Sequence, residues 1–320
     1  MKVIRTLDNI DEMRNLVIAL GNFDGVHRGH RHLIEGVVST ARKINGTAGV
    51  LTFDPHPAKV LKPEASPGFI LTPETKLRLI AHLGVDLTIL VPFDEDLARI
   101  EPTKFIENIL WEKLRPSVIY VGFNYTFGKA AKGRPELLKR YGEKLNFEVK
   151  IVPPVMIGGV PVSSTLIREM LVKGDISRAK DLLGYWPILE GKVVSGDQKG
   201  REIGFPTANL AMEEDLLLPA RGVYAAWVIR KHEIYKGIVN IGYKPTFGER
   251  STPTVEVHIF DLDEDLYGQS LELRLRQRIR PEKKFPGTRE LAQQIRVDIE
   301  TAKEVLREVE WTFLPVIAQD

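Results

Sequence analysis

No cysteine occurs among the 320 residues, so disulfides, thiolate metal sites and cysteine nucleophiles are excluded together. A reducing compartment agrees with that absence, and the expected location is the cytoplasm. No apolar run approaches the ~18 residues that span a bilayer as a helix. The first twenty residues carry Lys2, Arg5, Asp8, Asp11, Glu12 and Arg14 in place of the continuous apolar core of a secretion signal. A soluble chain with no membrane partner is expected. An excess of either charge is missing too: 45 basic against 43 acidic residues leave a net charge of +2, so any phosphate binding must come from local geometry. Two common phosphate-binding patterns are also absent. Gly128-Lys129 is followed by Ala130 and Gly191-Lys192 by Val193, which leaves no G-x-x-x-x-G-K-[ST], and no two glycines stand two apart, which removes G-x-G-x-x-G.

What is present is enough chain for two hydrophobic cores. From residue 16 to about 183, short apolar runs alternate with helical stretches. Leu16–Leu20, Gly49–Phe53, Leu87–Val91, Val118–Val121 and Val149–Val152 read as strands covered on both faces. Leu33, Ile34, Val37, Val38 and Ala41 recur with helical period, and Thr72-Pro73-Glu74 reads as N-cap, N1 proline and first-turn acid of another helix. After Leu183-Gly184-Tyr185-Trp186-Pro187 the period changes to two. Val255, Val257 and Ile259 alternate with Glu256 and His258, and Leu271, Leu273 and Leu275 alternate with Glu272, Arg274 and Arg276. The expected fold class is α/β: a Rossmann-like parallel sheet over 1–184, then a small antiparallel β-barrel with a C-terminal helix over 185–320.

The first candidate site follows the first strand as Gly21-Asn22-Phe23-Asp24-Gly25-Val26-His27-Arg28-Gly29-His30, and a helix begins there. Glycines at the exit of a parallel strand let backbone approach a phosphate, and a helix N-terminus offers unpaired N–H groups. His27 and His30 add two imidazoles able to hydrogen-bond charge developing on phosphorus. An ordinary capped turn is the plainer reading of H-x-G-H alone, and zinc is a weaker one, with His56 as the nearest third ligand. Asp54-Pro55-His56-Pro57, the segment Gly122–Gly128 and Ser163–Arg168 lie at further strand ends on the same edge of such a sheet, with Ser164, Thr165 and Arg168 suited to a triphosphate.

The second candidate site is Gly191–Asn209, which spends four glycines in fourteen residues and closes on Phe205-Pro206-Thr207-Ala208-Asn209. Such a loop can wrap phosphates, and Thr207 and Asn209 offer hard oxygen ligands for a magnesium ion arriving with ATP. Glu256, on the polar face of the Thr254–Phe260 strand, is the candidate base for an alcohol attacking a phosphoryl group, with the Asn240–Gly242 and Pro245–Gly248 segments nearby. Without further context, Glu256 reads as a solvated strand residue.

G-N-F-D-G-V-H-R-G-H, D-P-H-P, G-F-N-Y-T-F-G and V-S-S-T-L-I-R, in that order, resemble the FAD synthetase module of the bifunctional prokaryotic riboflavin kinase/FMN adenylyltransferases. G-F-P-T-A-N, G-V-Y-A, N-I-G-Y-K-P-T-F-G, V-E-V-H-I-F-D-L-D-E-D-L-Y-G and R-I-R-P-E-K-K-F resemble its riboflavin kinase module. The resemblance implies ATP held by Gly21, Asn22, Phe23, Asp24, Gly25, His27, His30, Ser164, Thr165 and Arg168. It gives His27, His30 and Arg168 catalytic roles, and it puts FMN against Asp54, His56 and Asn124. In the second half it implies a six-stranded barrel, with Mg-ATP at Gly196, Lys199, Gly204, Pro206, Thr207 and Asn209. Glu256 becomes the base for the riboflavin 5′-hydroxyl, with Arg280 and Phe285 bordering the flavin.

Two other readings are weighed against this one. One keeps only a single activity. The other is a nucleic-acid-binding barrel using Arg274, Arg276, Arg278 and Arg280, which the balanced charge and the scarcity of clustered surface aromatics argue against. The four arginines alternate along one strand, and a solvated face is expected for them.

Overall fold

A computed structural model describes residues 1–8, 13–196, 200, 203–244 and 252–307. Lys199, one of the expected ATP contacts, and the Pro245–Gly248 segment fall outside these residues. The chain divides into two compact units: Met1–Phe69 with Pro73–Ser163, and Ile70–Thr72 with the residues from Ser164 onward.

The first unit holds a six-stranded sheet of β1 (Lys2–Ile4), β2 (Val17–Leu20), β3 (Ala48–Asp54), β4 (Leu87–Pro92), β5 (Val118–Gly122) and β6 (Glu148–Val152). All pairings are parallel, in the order β1-β4-β3-β2-β5-β6. The continuous apolar runs follow from burial on both faces: Leu16, Ile18, Leu51, Ile89, Ile119 and Val121 are all within the core. The amphipathic helix α1 (Arg28–Lys43) crosses over from β2 to β3 and buries Leu33, Ile34, Val37 and Ala41. Helix α2 (Pro73–His82) leads to β4, and α3 (Pro135–Leu145) to β6. From β2 the chain builds one way through β3 and β4, then returns to place β5 and β6 on the other side. The order therefore reverses between β2 and β5, where open sheets of this kind bind ligands. The short edge strand β1 has too little periodicity to be read in advance. A two-stranded hairpin, β7 (Met156–Ile157) and β8 (Val160–Pro161), follows the sheet.

The second unit opens with helices α4 (Ser164–Lys173) and α5 (Ile176–Leu183). These stand with the barrel because α5, which buries Ala179, Leu182 and Leu183, lies against β14, so the compact unit starts about 20 residues before the expected change at 184–187. The barrel is closed in the order β10-β13-β12-β11-β14-β9, formed by β9 (Ile188–Val194), β10 (Ala208–Ala211), β11 (Gly222–Arg230), β12 (Glu233–Lys244), β13 (Thr252–Ile259) and β14 (Ser270–Pro281), every pairing antiparallel. The alternating residues Val255, Val257, Leu271, Leu273 and Leu275 fill its interior. Helix α6 (Thr288–Val305) covers β11, β12 and β14 from outside, which is why every residue of β11 is buried. Among the described residues, no helix is long and apolar enough to cross a membrane.

The arginines of β14 depart from expectation, because none forms part of a simple solvated face. Arg274 is buried and paired with the buried carboxylate of Glu272 at 2.8 Å. Arg276 lies 4.3 Å over the ring of Trp186, and Arg278 donates to the carbonyl of Arg221. Arg280 meets Asp298 of α6 through contacts of 2.8, 2.9 and 3.0 Å. Register shifts between β11 and β14 break strict alternation, so spacing by two does not keep these side chains on one open face.

Candidate functional site

At the end of β2 the backbone turns through Phe23 at φ 50°, Gly25 at φ 80° and Val26 at φ 34°. A β-branched residue at positive φ is costly, and here it is held in place by complete burial of Phe23 and Val26 and by the Val26 N–H donating to the Phe23 carbonyl at 3.1 Å. The turn delivers His27 as N-cap of α1, where its Nδ1 accepts from the His30 N–H at 3.2 Å. Because Nδ1 accepts, neutral His27 carries its proton on Nε2, the donor nitrogen of the ring. The two imidazoles stack at 3.5 Å and 15°, and Phe23 meets His30 edge-on at 5.3 Å. A methyl on Gly29 would stand 3.2 Å from the His27 ring, so the glycine leaves the pair its space. Burial, then the neighbouring His27 and Lys76, holds His30 well below the ordinary imidazole range, and its buried Nδ1 has no hydrogen-bond partner among the described residues. No acidic residue occupies the first turn of α1, whose end is capped by His27.

The other residues expected near this site are distributed as follows. Asp54 ends β3, with Arg5 at 3.7 Å. His56 caps the helix Pro57–Leu61, its Nδ1 accepting from Ala58 N–H at 3.1 Å. Asn124 is exposed just beyond β5, the strand beside β2 at the reversal point. Ser164, Thr165 and Arg168 open α4 and belong to the second unit. Lys76 of α2 was not legible as a site residue: on a helix it reads as a solvated cation, yet it is buried and directed at the carbonyls of Asn22 and Phe53.

In the barrel, Asn209 of β10 lies directly opposite Glu256 of β13, and Glu256 lies opposite Asn240 of β12. Directly paired residues share a face, so one carboxylate stands between two amides. Their neighbours Leu210, Val255 and Val257 are buried in the barrel interior, which puts the three polar side chains on the outer face. The preceding loop closes against this row. A methyl on Gly196 would fall 2.0 Å from the Asn209 amide nitrogen, and one on Gly200 would fall 2.4 Å from the Phe205 carbonyl and 3.1 Å from the Thr207 hydroxyl. Glycine is thus required for backbone to approach the two oxygen donors, Thr207 and Asn209, that suit a divalent ion carrying phosphates. Gly204 is at φ 86°, where a side chain is strained, and Pro206 follows. His258, on the same face as Glu256, fixes this segment: a carbonyl only accepts, so His258 Nδ1–H donates to Pro206 O at 2.8 Å. Arg280 is engaged by Asp298, with Phe285 5.5 Å from its guanidinium.

Comparison with known proteins bears on both halves. A FAD synthetase family model matches residues 9–166 and a riboflavin kinase family model matches residues 183–306. The bifunctional riboflavin kinase/FMN adenylyltransferase of Escherichia coli strain K12 is 37% identical over 308 residues, covering 95% of this chain and 97% of that protein. The protein of the same name from Listeria monocytogenes is 38% identical over 301 residues, covering 92% and 94%. A crystal structure of a Streptococcus pneumoniae protein called a macrolide-efflux protein superposes with a TM-score of 0.85 at 33% identity, covering 94% of this chain and 98% of that one. With both family models matched in order and relatives aligned almost end to end, the chain belongs to the bifunctional riboflavin kinase/FMN adenylyltransferase family.

Proposed function

We propose that this chain makes FAD from riboflavin in two ATP-dependent steps, one in each unit. The barrel unit phosphorylates the riboflavin 5′-hydroxyl to give FMN and ADP; the parallel-sheet unit joins AMP from a second ATP to FMN and releases pyrophosphate. The observation that carries this reading is the pairing of two different phosphate-facing constructions on one chain. One is a stacked histidine pair at the N-terminus of α1; the other is a glycine loop closed on an Asn–Glu–Asn row.

In the kinase step Glu256 accepts the proton of the 5′-hydroxyl as that oxygen attacks the γ-phosphorus. Asn209 and Asn240, one on either side, orient the carboxylate without competing for the proton. Magnesium, held at Thr207 and Asn209, would neutralise charge on the ATP phosphates. Pro206, fixed by His258, keeps Thr207 and Asn209 at the loop. In the adenylyl step the nucleophile is an already ionised phosphate oxygen of FMN, so no general base is required. It attacks the α-phosphorus, the bond to the β-phosphate oxygen breaks, and pyrophosphate leaves. His27 Nε2–H and the N–H groups of α1 donate to oxygens that gain charge on the way. The absence of cysteine and the demand for ATP agree with a cytoplasmic setting.

The test is one incubation of the whole chain with riboflavin, ATP and magnesium, with the flavins separated by chromatography over time. FMN should appear first and FAD after it. Unconverted riboflavin would defeat the kinase assignment; FMN that accumulates without FAD would defeat the adenylyltransferase assignment.

A further inference from the structure

The buried lysine of α2 has no part in the reaction as derived above, yet it stands at the centre of the first site. Lys76 lies with its ammonium 3.2 Å from the Phe53 carbonyl, 3.3 Å from Thr52 Oγ1 and 3.5 Å from the Asn22 carbonyl. Thr52, itself wholly buried, donates its hydroxyl to the same Asn22 carbonyl at 2.9 Å. Three elements that diverge in sequence are thereby knotted at one point: α2, the end of β3, and the turn that carries Phe23 and Asp24 into His27. An ammonium has three protons, and here each has one acceptor, so the arrangement suits the charged form in a place where an apolar side chain would leave the Asn22 and Phe53 carbonyls without this donor.

We propose that Lys76 is a positioning residue for adenylyl transfer, tying the Asn22 turn to the end of β3 so that His27 and His30 are held at the geometry the reaction needs. The proposal rests on the assignment of adenylyl transfer to this turn. The turn needs such a tie because Phe23 and Val26 occupy backbone conformations that relax if their surroundings loosen. Burial, the largest influence, lowers the affinity of Lys76 for its proton, and Asp24, Asp54 and Glu74 offset part of that. The cation in turn opposes protonation of His30, together with His27 and burial. Arg28 and Arg31 follow on α1 itself and add charge of the same sign near the helix start. Lys76 therefore ties the turn that carries the histidines and adds, after burial and His27, to what keeps His30 neutral, without touching the reacting atoms.

The experiment compares Lys76→Met, Lys76→Arg and His27→Ala in the full-length enzyme, supplied with FMN, ATP and magnesium across pH 5 to 8. Loss of the tie in Lys76→Met should lower kcat for FAD about 10²-fold while KM for ATP moves little, since a misplacement of about 1 Å at a reacting geometry costs that much. It should also move the acid limb of the pH–rate profile to higher pH, because His30 then gains its proton more readily. A purely structural role would not move that limb. Lys76→Arg keeps the charge but not the three-acceptor fit, so kcat should fall with the acid limb in place. FMN formation from riboflavin, measured in the same samples, reports that the rest of the chain is intact. Parental kcat and an unmoved acid limb in Lys76→Met overturn the proposal. If Lys76→Met does not fold, parental kcat in folded Lys76→Arg overturns it instead. Parental FAD formation in His27→Ala, by contrast, removes the assignment of the reaction to this turn and the proposal with it.

Discussion

Replacing Arg280 with alanine separates two roles for a residue expected to border the flavin. Its guanidinium makes three contacts of 2.8 to 3.0 Å with the carboxylate of Asp298, which is only 2% exposed and, among the described residues, otherwise receives one side-chain donor, Gln294 at 3.0 Å. Removing one member of a buried ion pair costs about 3–5 kcal/mol, because the remaining charge is left uncompensated. Arg280 is itself 18% exposed and Gln294 remains, so the lower end, about 3 kcal/mol, is expected. That is roughly a hundredfold change in the unfolding equilibrium. The assay is urea unfolding of the full chain followed by tryptophan emission, since Trp186 and Trp227 are buried in the second unit with ring centroids 6.0 Å apart. The barrel transition of Arg280→Ala should move to lower urea, and replacing Arg280 and Asp298 together by apolar residues should recover part of the loss. An unmoved transition with a raised KM for riboflavin would refute the reasoning, and Arg280 would then be a flavin contact and not the anchor of α6.

Gly196→Ala places a methyl 2.0 Å from the Asn209 amide nitrogen, so FMN formation should fall at least tenfold while FAD formation from supplied FMN is retained, as separate assays of the two steps will show. His30 binds its proton less readily folded than unfolded; its contribution to stability is therefore lost as pH falls below about 6.5, by about 1.4 kcal/mol per pH unit until its folded value is reached. The difference in unfolding free energy between the parent and His30→Gln, followed from pH 7.5 downward, should show this slope. A fragment beginning at residue 164 should unfold at higher temperature than one beginning at 186, because the longer one keeps α5 on the barrel and Lys180 5.1 Å over the Trp186 ring; melting curves of the two decide it.

The sequence carried those features that local pattern determines. Leu16–Leu20 followed by glycines and H-x-G-H could be placed at a strand-to-helix turn because each signal lies within fifteen residues and has a local cause. What remained hidden depends on partners distant in the chain. Lys76 reaches backbone more than twenty residues away. The Asn209–Glu256–Asn240 row exists only once three strands are in register. The arginines of β14 looked solvent-facing because period two was assumed through positions where β11 and β14 shift register, and because Trp186 and Asp298 come from elements on either side of that strand. By period alone His258 is one more polar residue alternating along β13, yet its hydrogen bond to Pro206 fixes the G-F-P-T-A-N segment beside Glu256.

The division of the two reactions between the two units is tested most directly by mixing two damaged proteins. Glu256→Gln removes the base at the barrel, and His27→Ala removes the donor at the parallel sheet; each substitution leaves the other unit as it was. With riboflavin, ATP and magnesium, Glu256→Gln alone should yield almost no FMN or FAD, and His27→Ala alone should stop at FMN. Combined in one vessel, the two should carry riboflavin through to FAD, because FMN made by one protein is adenylylated by the other. FAD formed from riboflavin at the parental rate by either protein alone, or no FAD from the mixture when both proteins are folded, would contradict the assignment of one reaction to each unit.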